Sequence, residues 1–486
     1  MSLSFEQEPV NATSKVPVIT NWTPAIGYML FYDASIAAFF YFKLILEVRL
    51  TDATGTLLGK IKQRRNGYSD DVFNNKARAF FDLKELANTQ LIDTVIDQND
   101  TGVPFRTIHK VGANTTTKIF SLNGDSSTGK TQIIALYVKG YYEKSDAANA
   151  SPTEVTGGAI NDTLYYLQAS LPLMTPRSTV TSPAPGYIQG TDFDVFNGNS
   201  VTDRFLSDLE ISSGDYNITG YINYVQDTDY HTVAFLNDNA NFASNITKAN
   251  ITYYNSAGTV IGGTSYAFTN NNAGGGSDPT TETNTDAERL VYFGAGPGNL
   301  EAQTAFALAK PSNSAGWAYY VVKGTDSLSL PRTANYYFIK QDGSCKGFKV
   351  RRLAWRNSVG GYDYFNFKKK STQTVEVQRN NYSTMLGTFN KSQWRYNNTQ
   401  RGKTTRQTTA VLKETLNTDW ITEQDGNLLE KLLMSTSVYI VENADTDYTE
   451  AVMITDSSHV RKTVANDRMI RYTINIEYAN PLNTNS

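Results

Sequence analysis

Cysteine is nearly missing from this chain. The single Cys345 excludes an intrachain disulfide and any cysteine-based metal site. Histidine is also scarce: His109, His231 and His459 lie far apart in sequence, and no His-x-x-x-His pair occurs. Long apolar runs are absent. The most apolar stretch, 34–42 (ASIAAFFYF), is bounded by Asp33 and Lys43. It falls well short of the roughly 20 residues that a membrane-spanning helix requires, so no membrane span is expected. The opening MSLSFEQE has no positive region before an apolar run and does not read as a secretory signal. No recognisable elbow places a Ser/His/Asp arrangement, and Cys345 sits in a Gly/Asp/Ser turn without a nearby histidine.

Aromatic and small polar residues are plentiful instead. The chain has 30 Tyr and 23 Phe in 486 residues, a mix that suits β structure with long polar loops. That length is too great for one core and implies several domains. Charge is unevenly placed. Residues 346–406 hold 14 Lys+Arg against 2 Asp+Glu, a local +12, while the whole chain is −3, so the remainder sums to −15. A split this steep points to a surface that meets a partner.

The expected fold is mainly β, with β-sandwich-like N-terminal and middle modules and a small α+β C-terminal module. Residues 1–145 read as an N-terminal arm followed by a β-rich domain. Within it, 41–50 alternates apolar and polar residues as a half-buried strand does, 77–87 (ARAFFDLKELA) reads as a short helix, and 133–142 reads as a strand. Residues 146–345 carry short strand candidates at 216–225, 231–236, 250–254 and 318–322, with a Gly-rich polar loop at 270–285. Residues 346–486 form the basic block and an α+β docking domain. Leu428, Leu429, Leu432 and Leu433 make a helical apolar stripe, and Thr422 with Asp425 marks its start. Gly426 is the weak link there, since glycine costs about 1 kcal/mol against alanine inside a helix. The final strand sets Ile470, Tyr472, Ile474, Ile476 and Tyr478 on one face.

Few motifs point to catalysis. Residues 124–131 (GDSSTGKT) match the phosphate-cradling G-x-x-x-x-G-K-T loop, which works only between a buried strand and a helix. Here β-branched and aromatic residues follow, so the run reads as a hairpin loop between strands. FGAGPGN (293–299) reads as a Pro/Gly turn, because Pro297 and Asn299 break the dinucleotide fingerprint. The acidic pairs Asp192/Asp194, Asp227/Asp229 and Asp445/Asp447 lack a full calcium-loop pattern and read as solvated loop carboxylates. No catalytic residue, metal or cofactor is expected.

The basic block interleaves cations with rings, a chemistry shared by single-stranded nucleic-acid grooves and by protein interfaces. Arg351, Arg352, Trp355, Arg356, Lys368, Lys369, Lys370, Trp394 and Arg395 are the candidate contact residues, joined by Trp22 of the N-terminal arm. Phe5, Val16 and Val18 of that arm are expected to order against a neighbour. The alternation of Tyr362, Tyr364, Phe365 and Phe367 assigns several rings to a strand face. Docking on an acidic protein surface is the favoured role of the cations, and identical subunits packed head to tail would form a ring or tube.

Several segments together resemble virion structural proteins of tailed bacteriophages. They are the Pro-containing opening with the 41–50 strand, AFFDLKEL (79–86), YFGAGPGNL (292–300), LAWRNSVGGYDYFNF (353–367) and the close from Leu428 to Ala479. The resemblance implies a tail, neck or baseplate component located in the virion, with other virion proteins as partners and no catalytic residues. The alternative is a receptor-binding adhesin whose middle loops contact cell-surface glycans; a nucleotide-binding enzyme is a third.

Overall fold

The computed structural model of the protein describes residues 3–7, 27–65, 75–90, 120–122, 124–125, 130–131, 133–167, 205–209, 212–236, 246–261, 265–269, 290–301, 316–326, 328–341, 347–441, 449–458 and 470–482. Strands make up 56% of it and helices 8%, so the protein is mainly β, as its composition implies. The chain divides into two compact units. The first comprises Met1–Gln341 with Arg356–Asp363, and the second Asp342–Trp355 with Tyr364–Ser486.

The first unit contains two sandwich-like pairs of sheets. In one pair, a four-stranded antiparallel sheet runs in the order Thr153–Leu167, Ile133–Ser145, Tyr41–Leu50, Leu57–Gln63. A three-stranded sheet of Leu3–Gln7, Gly27–Tyr32 and Ala77–Asp82 supplies the other layer. Tyr28, Leu30, Leu44, Leu46, Val48, Phe81 and Val138 fill their common core. In the second pair, a six-stranded sheet centred on Tyr319–Thr325 and Tyr336–Lys340 shares a ring-rich core with a three-stranded sheet built on Thr232–Leu236 and Leu290–Gly294. Tyr253, Tyr320, Tyr336, Phe338, Phe235 and Phe293 are all buried there. Aromatic pairs of this kind add to the area they bury, and Tyr320 stacks on Phe338 at 4.8 Å.

Three expectations change. The hairpin of Ile133–Ser145 and Thr153–Leu167 crosses the boundary placed at 145/146, because eleven cross-strand partners bind the two sides into one sheet. Residues 77–87 are a strand, Ala77–Asp82, followed by a helix, Lys84–Gln90. Ala77, Ala79 and Phe81 are buried at a period of two, and the Asp82 carboxylate accepts the Lys84 N–H where the helix begins. Third, Tyr41–Leu50 is buried on both faces at its centre, since Ile45 and Glu47 are covered as well as Leu44, Leu46 and Val48. The arm residue Phe5 packs against its own chain's core, while Val16, Val18 and Trp22 lie outside the described residues.

The second unit is α+β. Its seven-stranded sheet has the order Tyr362–Phe367, Arg351–Arg356, Val438–Val441, Thr449–Ile454, Thr473–Tyr478, Lys403–Asn417, Thr372–Ser383. The helix Glu423–Met434 opens on the expected capping box between Thr422 and Asp425 and buries Leu428, Leu429 and Leu432. Gly426 packs closely against Tyr472. A Cβ there would lie 3.1 Å from the Tyr472 ring, so the glycine lets the helix approach that side chain. Ile474, Ile476 and Tyr478 alternate inward along the last strand, as their spacing predicts.

Candidate functional site

The basic block separates into an inner and an outer part. Trp355 is fully buried, and Arg352 and Arg356 are only 3% and 6% exposed. Arg352 donates to the Asn366 side-chain oxygen at 2.8 Å and lies over the Tyr364 ring. Arg351 is largely covered and bonds Glu414 through Nε at 2.9 Å. Glu414 also accepts from Tyr478 at 2.7 Å and Gln373 at 3.1 Å. Burial alone would raise the Glu414 carboxyl, but the bonds from Tyr478, Arg351 and Gln373 outweigh it and hold the group below its usual range. The expectation that Arg351, Arg352, Trp355 and Arg356 form a contact surface is therefore corrected: Glu414 holds Arg351, Asn366 holds Arg352, and Trp355 and Arg356 are buried. Lys369 pairs with Asp419 at 3.0 Å, Lys368 is half-buried, and Lys370 is exposed.

LAWRNSVGGYDYFNF has a structural role that its turn makes plain. Asn357 accepts the N–H groups of Val359 and Gly361 and donates to the Leu206 carbonyl and Asp363. Asp363 is fully buried and accepts from the Ser207 hydroxyl at 2.5 Å and the Asp208 N–H at 2.8 Å. Asp208 in turn accepts from the Ser358 N–H and hydroxyl. The segments 205–208 and 356–363 thus clasp one another within the first unit. Burial, reinforced by the negative Asp208, pushes the Asp363 carboxyl up to about 7.

The outer part of the block is a β-ribbon arm. Thr372–Ser383 pairs antiparallel with Lys403–Asn417, and every residue of Thr372–Ser383 is exposed. Twelve residues at about 3.3 Å each carry the ribbon about 40 Å. One register shift interrupts the pairing between Asn380 and Asn381, where Arg406 is the extra residue on the return strand. A small hairpin of Thr388–Asn390 and Gln393–Arg395 forms the tip, with Phe389 directly opposite Trp394. The Trp394 indole donates to the Leu386 carbonyl at 2.8 Å, and Thr384 bonds the Arg401 carbonyl, so the tip has its own hydrogen-bonded frame. Large apolar groups nevertheless stay in solvent: Met385 is 79% exposed, Phe389 and Tyr396 66% each, and Trp394 48%. Residues 377–412 carry six cations and no carboxylate, namely Arg379, Lys391, Arg395, Arg401, Lys403 and Arg406. Among the described residues, no ion pair engages any of the six. Of the expected contact residues, Trp394 and Arg395 lie on this tip.

A sharply different charge pattern covers the four-stranded sheet of the first unit. Glu47 pairs with Arg49 at 2.7 Å and Lys60 at 3.5 Å. Glu154 takes Lys60 at 3.1 Å and Lys62 at 3.2 Å, and Lys62 reaches Glu143 at 2.6 Å. Tyr41 and Tyr141 close the ladder through hydrogen bonds to Glu143 and to Glu47 and Glu154. Burial raises the Glu47 and Glu143 carboxyls, but the ladder's cations and hydroxyls overcome it and leave both below 4.5.

The remaining motifs resolve as structure. Gly124–Asp125 pairs with Lys130–Thr131 in a two-stranded hairpin, and the strand Ile133–Ser145 follows where a phosphate loop needs a helix. FGAGPGN enters a helical turn, Pro297–Glu301, where a simple turn was expected. A Cβ on Gly296 would sit 2.3 Å from the His231 nitrogen, so that glycine admits a close backbone crossing. His231 is buried and bonded to the Tyr336 hydroxyl at 3.0 Å. Asp227 pairs with Lys340, and the buried Asp229 bonds the Gln226 N–H. Trp22, His109, Asp192, Asp194, the 270–285 loop, Cys345, Asp445, Asp447 and His459 lie outside the described residues. Among the described residues, no group of three or more His, Cys, Asp or Glu side chains is placed to hold a metal, and no helix is long and apolar enough to cross a membrane.

No family model matches the chain, and no curated protein matches it. Among solved structures, it is similar to trypsin-activated alpha-2-macroglobulin from Escherichia coli, at 6% identity and a TM-score of 0.15. The match covers 86% of this chain but only 26% of that protein, and a score so low carries no argument about fold or function.

Proposed function

We propose that the protein is a structural component of a tailed-bacteriophage virion, assembling into the tail, neck or baseplate through protein–protein contacts. The observation that carries the assembly reading is the ribbon arm, 372–417. A two-stranded ribbon whose outgoing strand is exposed along its whole length is marginal in water, and this one also holds Met385, Phe389, Trp394 and Tyr396 in solvent. Apolar rings on a projecting arm gain burial only against a partner. The resemblance of 353–367 and the other segments to virion proteins supplies the setting, and β-sandwich-like modules suit a scaffold. The reading assigns the chain no catalytic chemistry.

Mass spectrometry of gradient-purified particles tests it. The chain is expected at a fixed copy number in intact particles, and particles assembled with an arm-shortened chain should lack it. Its absence from intact particles would remove the reading.

A further inference from the structure

The two units carry opposite net charge. The first holds 25 Lys+Arg against 33 Asp+Glu, a net −8, and the second holds 19 against 14, a net +5. The arm supplies the entire surplus of the second unit. Residues 377–412 are +6, so the second unit without them is −1 and the whole chain without them is −9.

We infer that the arm of one copy docks on the acidic first unit of a second copy, in a head-to-tail contact between identical chains. The inference rests on the assembly reading and names its partner. Three observations favour this occupant. First, pairing arm against arm would set +6 against +6, whereas the sequence of the first unit sums to −8. Second, the contact is heterologous, so each copy presents both an arm and an acceptor and the interaction can repeat. Third, the tip has the composition of a protein interface. Such interfaces are enriched in Trp, Tyr, Phe, Met and Arg and depleted in carboxylates. Met385 is the most exposed of the tip's large apolar groups, and with Leu386 it is aliphatic, without a face on which a base could stack. Phe389 and Trp394 share one face as a cross-strand pair, the geometry of an anchor entering a pocket.

The experiment uses the full chain in sedimentation velocity at about 50 mM and about 500 mM salt. The wild type is expected to self-associate with rising concentration at low salt, and at least ~10-fold more weakly at high salt. Phe389→Ser with Trp394→Ser, and Arg395→Glu with Arg401→Glu, should each leave a monomer that melts like the wild type. A chain in which a two-residue Asn-Gly turn replaces 384–402 retains the acceptor but loses the tip. It should stay monomeric alone and bind one wild-type copy. A wild type that is monomeric at every concentration overturns the inference. So does an arm-shortened chain that self-associates like the wild type or fails to bind it. Arm-dependent capture of an oligonucleotide without self-association would transfer the arm to nucleic acid and also overturn it. A chain present in particles yet monomeric alone sinks this inference and spares the assembly reading. Self-association by a chain absent from particles does the reverse.

Discussion

The ladder on the four-stranded sheet and the ribbon arm are both β surfaces rich in Lys and Arg, but they handle charge in opposite ways. On the ladder, Arg49, Lys60 and Lys62 each meet a carboxylate of the same sheet, and tyrosine hydroxyls occupy further carboxylate oxygens. On the arm, six cations stand along 377–412 without a carboxylate in that stretch. Cation count is therefore a poor guide to a docking surface; the distribution of carboxylates around the cations is the better one. A charge that its own chain neutralises holds the fold together, and a charge left open is available to a partner.

Four experiments press on that contrast. The largest effect is expected at the root of the arm, where Glu414→Leu strips Arg351 of its carboxylate and Tyr478 of its acceptor. Breaking one side of a covered ion pair should cost about 3 kcal/mol in urea unfolding. On the ladder, Glu143→Gln removes one of the two carboxylates that meet Lys62 and should cost about 1–2 kcal/mol by the same measurement.

The pH dependence of melting comes next, and its two contributions differ in sign. Glu47, Glu143 and Glu414 have depressed folded values, so their stabilisation is complete above 4.5 and fades as pH falls below it. Asp363 has a raised folded value of about 7 against 3.8, so it contributes a loss of stability as pH climbs through that window. Asp363→Asn should flatten the decline in melting temperature between about pH 5 and about pH 8; an unchanged slope would mean that the clasp does not titrate there.

The smallest effect belongs to the arm. Arg379→Ala with Lys391→Ala should leave stability within about 0.5 kcal/mol of the wild type. A loss as large as that of Glu143→Gln would erase the distinction between closed and open charge.

Much of the fold was legible because burial on one face writes a period into the sequence. The Thr422/Asp425 cap and the inward set of Ile474, Ile476 and Tyr478 are local signals, and both are met; Tyr41–Leu50 is the expected strand but is covered on both faces at its centre. The strand Ala77–Asp82 reads as helix in sequence because Leu83 at the junction and Leu86 and Ala87 of the following helix complete an apolar helical spacing. The arm was harder to see. Thr372–Ser383 is exposed on both faces, so no buried face imposes an alternation of apolar and polar residues. The inner arginines were harder still. Arg351 finds its carboxylate at Glu414, and Asn357 finds its carbonyl at Leu206; separations of 63 and 151 residues leave no trace in a local window.

The register shift at Asn380/Asn381 gives the arm two independent controls. A bulge bends and twists the strands that contain it, so Arg406 bears on the direction in which the tip points while the tip's own residues set its chemistry. Deleting Arg406 would straighten the ribbon and swing an unaltered tip to a new bearing. If copies dock through the arm as inferred above, that bearing fixes the angle between neighbours, and with it the curvature of the whole. A single-residue deletion in the shaft is then expected to change the diameter of such an assembly and leave the tip's contacts intact.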